Sequence, residues 1–236
     1  MKKQLTKLSL ILVAIACIIP MAAFALTPYS SDFESNPLPG DGVMLGDNWL
    51  VYANVFGSDW SWWYGYGAFP APNDGAAFCA IATGESFSPQ ALSVYSDYNN
   101  ADHGNGAILE CNVFQEQIVD AADVGTTWTY QLETKKGNIS GNSTAGAFIK
   151  TLDPSAGWAM TNFIDVDLTD TSGSWTTYEL QILIDATLPG QILQFGFYSY
   201  AGGYEPSGIF YDNVEFNLST VSNDDCSMGE VKMLFR

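Results

Sequence analysis

The sequence predicts an all-β chain built as two packed antiparallel sheets. Three observations carry this. Short apolar stretches alternate with polar residues at a period of two, so each strand turns one face to water and one to a core. Clusters of Gly, Asn, Asp and Pro punctuate these stretches along the 236 residues. Beyond the first 25 residues, no segment carries a capped helical stripe.

The chain opens on Lys2, Lys3 and Lys7, continues with an uncharged apolar run from Leu8 to Ala22, and reaches Ala23-Phe24-Ala25. That is a basic segment, a hydrophobic segment and a small-x-small cleavage site, so residues 1–25 read as an export signal peptide. The run is too short for a lasting membrane span. Ala14-Ile15-Ala16-Cys17 loosely matches a lipoprotein box, but apolar Ile18 to Met21 follow it, unlike a lipoprotein linker. The expectation is a secreted product, extracellular or periplasmic, with no membrane insertion after cleavage.

Residues 26–217 read as a single domain. Strands are expected at 49–56, 76–82, 91–96, 107–118, 127–133, 145–152, 160–167, 177–185, 191–200 and 208–216. Two are especially clear. Trp128, Tyr130 and Leu132 share one parity against Thr127, Thr129 and Gln131, and Tyr178, Leu180, Ile182 and Ile184 do so against Thr177, Glu179 and Gln181. Residues 117–124 could form one turn of helix. From 218 to 236 the pattern fades through Ser219-Thr220-Val221-Ser222-Asn223-Asp224-Asp225 into a flexible tail.

Composition bounds the partners. The chain has 26 acidic and 8 basic residues, a net charge of −18. Signal removal would take three lysines and no acid. So acidic a surface repels nucleic acid and anionic membranes, both of which are held through Lys and Arg. Cysteines 79, 111 and 226 would remain after cleavage. Cys79 and Cys111 both fall in expected strands, and two readings stand for them: a disulfide, or two reduced thiols buried as small hydrophobes. Cys226 falls in the tail, where it could link chains and support self-association.

Several segments together carry a resemblance: Asp32-Phe33-Glu34 near the start, Trp49 after it, Val113-Phe114-Gln115-Glu116, Trp128-Thr129-Tyr130, Trp175-Thr176-Thr177-Tyr178, and Gly208-Ile209-Phe210-Tyr211-Asp212-Asn213-Val214-Glu215-Phe216. In this order they resemble the galactose-binding-like jelly rolls that include many carbohydrate-binding modules, over most of residues 30–217. The resemblance implies an antiparallel jelly-roll β-sandwich whose first and last strands meet. It also implies a structural Ca2+ ion between those strands, held by Glu34 and Asp212 with Asp32 as helper. Calcium takes six to eight hard oxygens, so backbone carbonyls would complete the set. A second acidic loop, 97–106, lacks the spacing of an EF-hand and reads as an ordinary turn.

The aromatic run Trp60-Ser61-Trp62-Trp63-Tyr64-Gly65-Tyr66 is the most unusual stretch. If extended, it sends Trp60, Trp62, Tyr64 and Tyr66 to one face and Trp63 to the other. Flat rings with polar tips stack on sugar rings and bond their hydroxyls, which suits a polysaccharide or cell-surface glycan of neutral charge. Burial in a core is the competing reading. Tyr198 and Tyr200 could line a second edge of such a site, with Tyr204 and Trp158 as looser candidates. Catalytic signals are thin: His103 stands alone as a base, no nucleophile elbow or zincin helix occurs, and Glu110 and Glu116 lie ~20 Å apart along one strand face, beyond a glycosidase pair. The expected function is therefore non-catalytic glycan binding. A structural or adhesive surface protein is the alternative, and a polysaccharide-active enzyme the third reading.

Overall fold

The computed structural model describes residues 25–38, 48–73, 76–84 and 89–219. The signal peptide, Cys17, Cys226 and the tail beyond Ser219 lie outside the described residues. Twelve strands follow in order: β1 (Tyr29–Ser31), β2 (Leu50–Phe56), β3 (Trp62–Pro70), β4 (Cys79–Thr83), β5 (Gln90–Val94), β6 (Ile108–Ile118), β7 (Thr127–Lys136), β8 (Thr144–Asp153), β9 (Ala159–Asp167), β10 (Thr176–Leu183), β11 (Ile192–Gly202) and β12 (Ile209–Leu218). They form two antiparallel sheets. One runs β10-β7-β12-β5-β4 with β1 added along β12, and the other runs β3-β2-β6-β11-β8-β9. This is the all-β sandwich that the alternating pattern predicts. The expected helical turn is a short 3-10 turn at Ala121–Asp123.

Parity assigns the faces. In β7, Trp128, Tyr130, Leu132 and Thr134 are buried while their neighbours are not, and β10 meets it with Tyr178 against Leu132, Leu180 against Tyr130 and Ile182 against Trp128. The opposing sheet sends in Val51, Ala53 and Val55 from β2 and Phe195 and Phe197 from β11. Stacked aromatics join the layers. Phe195 lies on Phe216 at 4.4 Å, Phe197 on Tyr211 at 3.8 Å, and Trp49 on Phe197 at 5.6 Å. Trp49 is satisfied by donating its indole N–H to the Tyr29 hydroxyl at 2.8 Å. Each buried ring of this kind removes apolar area worth ~2–3 kcal/mol from water, and removing one would cost about 3–5 kcal/mol.

The first and last strands do meet, with Tyr29 opposite Phe216 and Ser31 opposite Val214. The cysteine pairing is corrected. Cys79 and Cys111 are both buried and are not bonded to each other. They lie in different sheets and turn to different partners: Cys79 Sγ donates to the Pro72 carbonyl at 3.1 Å, and Cys111 Sγ accepts from the Asp97 N–H at 3.1 Å. Burial pushes the Cys111 thiol up to about 12, so it stays protonated.

Candidate functional site

The site is the outer face of the six-stranded β3-to-β9 sheet. Strand register sets it out in rows. One row places Asn54, Glu110, Tyr200 and Thr144 side by side across β2, β6, β11 and β8. The next carries Tyr52, Asn112, Tyr198 and Gly146, and a third carries Leu50, Phe114, Gly196 and Phe148. Phe114, Phe148 and Tyr198 make an apolar cluster separate from the main core, flanked by Leu50, Tyr52 and Tyr200. These three rings are themselves buried, although their positions point away from the core between the sheets.

Two glycines let this face form. An added Cβ at Gly65 would strike the Tyr52 ring, and one at Gly146 would strike the Tyr198 ring. The tyrosines therefore lie down across neighbouring strands instead of standing up into solvent. Tyr198 donates its hydroxyl to Asp165 Oδ2 at 3.1 Å. Burial raises its phenol well above the ordinary range, with the Asp165 charge adding to the effect; burial and then Glu110 do the same for Tyr200. Both remain neutral hydrogen-bonding rings at any physiological pH.

Trp60 and Trp62 cap one end of this face. Trp60 sits in the β2–β3 turn at φ 65, where the Gly57 N–H donates to the Ser61 carbonyl and Asp59 accepts from Ser61. Its ring is 59% exposed and meets Tyr200 edge-on at 5.7 Å. Trp62, 61% exposed, donates its indole N–H to Asn54 Oδ1 at 3.2 Å, and Asn54 donates in turn to Glu110 Oε2 at 2.8 Å. The two indoles are thus wired to the row beneath them. Beside Trp60 and Tyr200 opens a cleft of about 480 Å³, bordered by Ile108, Asn142, Thr144 and Glu205. Trp158, at φ 66 in the β8–β9 hairpin, lies exposed at the opposite end of the same sheet.

One expectation about the aromatic run is corrected. Trp60, Trp62, Tyr64 and Tyr66 do not share a face. Register shifts in the β2–β3 pairing break the alternation, so Trp62 pairs with outward Phe56 while Tyr64 and Tyr66 pair with inward Val55 and Ala53. Tyr64 and Tyr66 instead clamp the 97–105 loop. Tyr66 donates to Asp97 at 2.6 Å, Tyr64 to Asp102 at 2.5 Å, and Asn100 donates to both phenols. That loop spends its oxygens on these contacts and on capping a 3-10 turn at Ala101–Asn105.

His103 is buried in the same loop, between Tyr98 and Tyr204. Its Nδ1 lies 3.5 Å from the Tyr204 N–H, and its Nε2 shares a hydrogen bond with Ser96 Oγ at 3.1 Å. Glu110 and Glu116 both face outward on β6 and are held by Asn54 and Gln194.

The carboxylates expected to hold calcium gather near the β1–β12 junction. A bulge in β12 with Asn213 at φ 46 re-aims Asp212. Burial pushes its carboxyl up to about 6, and Glu34, Glu133 and Asp32 add to the rise. Glu34 accepts from the Gln90 N–H at 3.1 Å, and Asp32 from the Glu34 N–H at 3.1 Å. The donor chemistry suits a hard cation. The geometry suits it less: among the described residues no trio of His, Cys, Asp or Glu side chains closes on one point. An ion here would take most of its ligands from carbonyl and water oxygens.

No family model and no curated protein sequence matches the chain. Similar solved structures include carbohydrate-binding modules. The CBM22-1 xylan-binding domain from Paenibacillus barcinonensis Xyn10C is 10% identical at a TM-score of 0.45, with 84% of this chain and 97% of that one covered. The CBM22-1–GH10 modules of Clostridium thermocellum endo-1,4-β-D-xylanase 10B, complexed with xylohexaose, are 12% identical at 0.43, covering 80% of this chain. The enzymatically active domain of bacteriophage CBA120 tailspike protein 4 is 12% identical at 0.45, covering 73%. This chain spans only 28% of the xylanase modules and 20% of the tailspike.

Proposed function

We propose that this is an exported, non-catalytic glycan-binding domain that holds a neutral polysaccharide on the outer face of the β3-to-β9 sheet. The observation that carries this is the exposed Trp60–Trp62 pair, anchored through Asn54 to Glu110 and continuing into the recumbent Tyr200 and Tyr198 rings. Rings of this kind stack on the C–H faces of sugars, and the phenol, amide and carboxylate groups between them accept and donate to hydroxyls. A neutral chain suffers no repulsion from the acidic surface. Calcium, bound near Asp212, Glu34 and Asp32, would brace the terminal strands without entering the site.

Isothermal titration against xylo-, cello- and mannohexaose, with pull-down on insoluble polysaccharides, tests the proposal. Trp60→Ala and Trp62→Ala should each weaken binding about tenfold, on the order of 1–2 kcal/mol, with unfolding unchanged. Absence of binding across a broad glycan panel overturns it. A structural or adhesive role is favoured by a different observation. Both edge strands of the same sheet expose large apolar side chains, Trp63 and Phe69 on β3 and Met160 and Phe163 on β9. Concentration-dependent sizing would reveal assembly through those edges.

A further inference from the structure

Of the eight basic residues, Lys135, Lys136 and Lys150 are the three between positions 26 and 217. Lys135 and Lys136 close β7 in the other sheet. Among the described residues Lys150 is the one cation on the proposed glycan face. It projects from β8 in the row of Glu116, Gln194 and Phe163, and its stem is half-buried. Its ammonium reaches back over the Phe148 ring at 4.6 Å and the Phe114 ring at 5.6 Å. It thus hovers above the apolar cluster at the middle of the face.

The surrounding acids are already served by neutral donors. Glu116 is held by Gln194, Asp165 by the Tyr198 hydroxyl, and Glu110 by Asn54. Among the described residues Lys150 makes no ion pair and no side-chain hydrogen bond; its contacts are the two ring faces. An ammonium carries three N–H donors, and a ring face satisfies its charge only in part. Burial lowers its pKa while Glu110 opposes the drop, consistent with a cation partly stripped of water. On a surface this acidic, evolution of an unpaired cation at the centre of the face is a costly arrangement unless a bound group completes it.

We propose that Lys150 is the specificity residue of this face, receiving a single carboxylate carried by an otherwise neutral glycan, such as one uronic acid residue on the sugar chain. This rests on the glycan-binding reading above and names what that site distinguishes. A charge-assisted N–H to carboxylate contact supplies the missing acceptor. The nearby Glu110, Glu116 and Asp165 would still exclude a polyanion, because a second carboxylate on either side would meet like charge. Selectivity is for one acid in a neutral context.

The test compares a neutral hexaose with the same hexaose bearing one hexuronic acid substituent, on wild type, Lys150→Met and Trp62→Ala. Methionine keeps the stem against both phenylalanines and removes the charge. Wild type should bind the acidic hexaose about tenfold tighter than the neutral one. Lys150→Met should lose that advantage while keeping neutral-hexaose affinity, and raising salt on wild type should shrink it without any substitution. Equal or weaker binding of the acidic hexaose by wild type overturns the assignment, even where Trp62→Ala shows that the neutral hexaose binds on this face. Failure of every hexaose and polysaccharide to bind overturns the glycan reading and this one together.

Discussion

The two outer faces of the sandwich are built on opposite plans. On the β10-β7 side, Thr129 and Gln131 stand opposite Gln181 and Glu179, a polar stretch that ends where exposed Leu183 stands opposite Thr127. On the β3-to-β9 side the outward positions hold Tyr52, Phe114, Phe148, Tyr198 and Tyr200, with glycines hollowed out beneath two of the rings. The same two-residue period generates both. Both kinds serve stability, since the second cluster is itself buried and removes further apolar area from water. What distinguishes the second face is that its outward positions carry rings and end in the exposed indoles of Trp60 and Trp62.

The sharpest way to break this contrast is to fill one of the hollows. Gly146→Ala would drive a methyl group into the Tyr198 ring and the Val166 carbonyl. Overpacking of this kind costs about 1–3 kcal/mol, and lifting the Tyr198 ring should reduce glycan affinity about tenfold or more. Thr129→Ala on the opposite sheet should leave glycan affinity unchanged and stability within ~0.5 kcal/mol. Titration and denaturant melts on the pair decide it: equal effects at both positions would abolish the functional distinction between the faces.

The second prediction concerns the junction where β1 closes the polar sheet. The Asp212 carboxyl is raised to about 6 by burial and by Glu34, Glu133 and Asp32. A carboxyl raised in the folded state favours the protonated protein, so stability is greatest below the unfolded value near ~4 and falls as pH climbs through about 6. After allowance for screening by nearby water, the loss is about 1–2 kcal/mol. Chelator-treated protein should show this decline in thermal melts, and Asp212→Asn should flatten it. Added Ca2+ should restore stability above pH ~6, where the carboxylate is ionised. A melting temperature indifferent to both pH and calcium would remove the ion from the account and leave Asp212 as a plain buried acid.

How much of this was legible in the residues differs between the faces. Every expected strand is present, because parity is local: the inward turn of Tyr130 and Leu132, and of Leu180 and Ile182, was written in each strand separately. The aromatic outer face was not legible in that way. Phe114, Phe148 and Tyr198 are far apart in sequence, and only strand register brings them together. The glycine cradles needed the same information. Trp60 and Trp62 announced themselves by composition, yet the fate of Tyr64 and Tyr66 turned on register shifts that no residue signals. The disulfide and buried-thiol readings of Cys79 and Cys111 stayed open for a related reason, since lying in strands says nothing about which sheet each strand joins.

The smallest expected effect is the most discriminating. Trp60 adopts φ 65, a left-handed conformation that costs a bulky residue roughly 1–2 kcal/mol and glycine nothing. Its ring is mostly exposed, with a tilted contact to Phe56 and an edge contact to Tyr200 to offset the strain. Trp60→Gly should therefore leave stability unchanged or raise it by up to ~1 kcal/mol, a gain of about 2–4 °C in melting temperature for a domain this size. Glycan affinity should fall several-fold at the same time. Opposite signs for folding and binding would show that the turn is held in strain to present an indole at the end of the aromatic face. If the variant melts lower and binds normally, the indole belongs to the fold, and the aromatic end of that face is packing like any other.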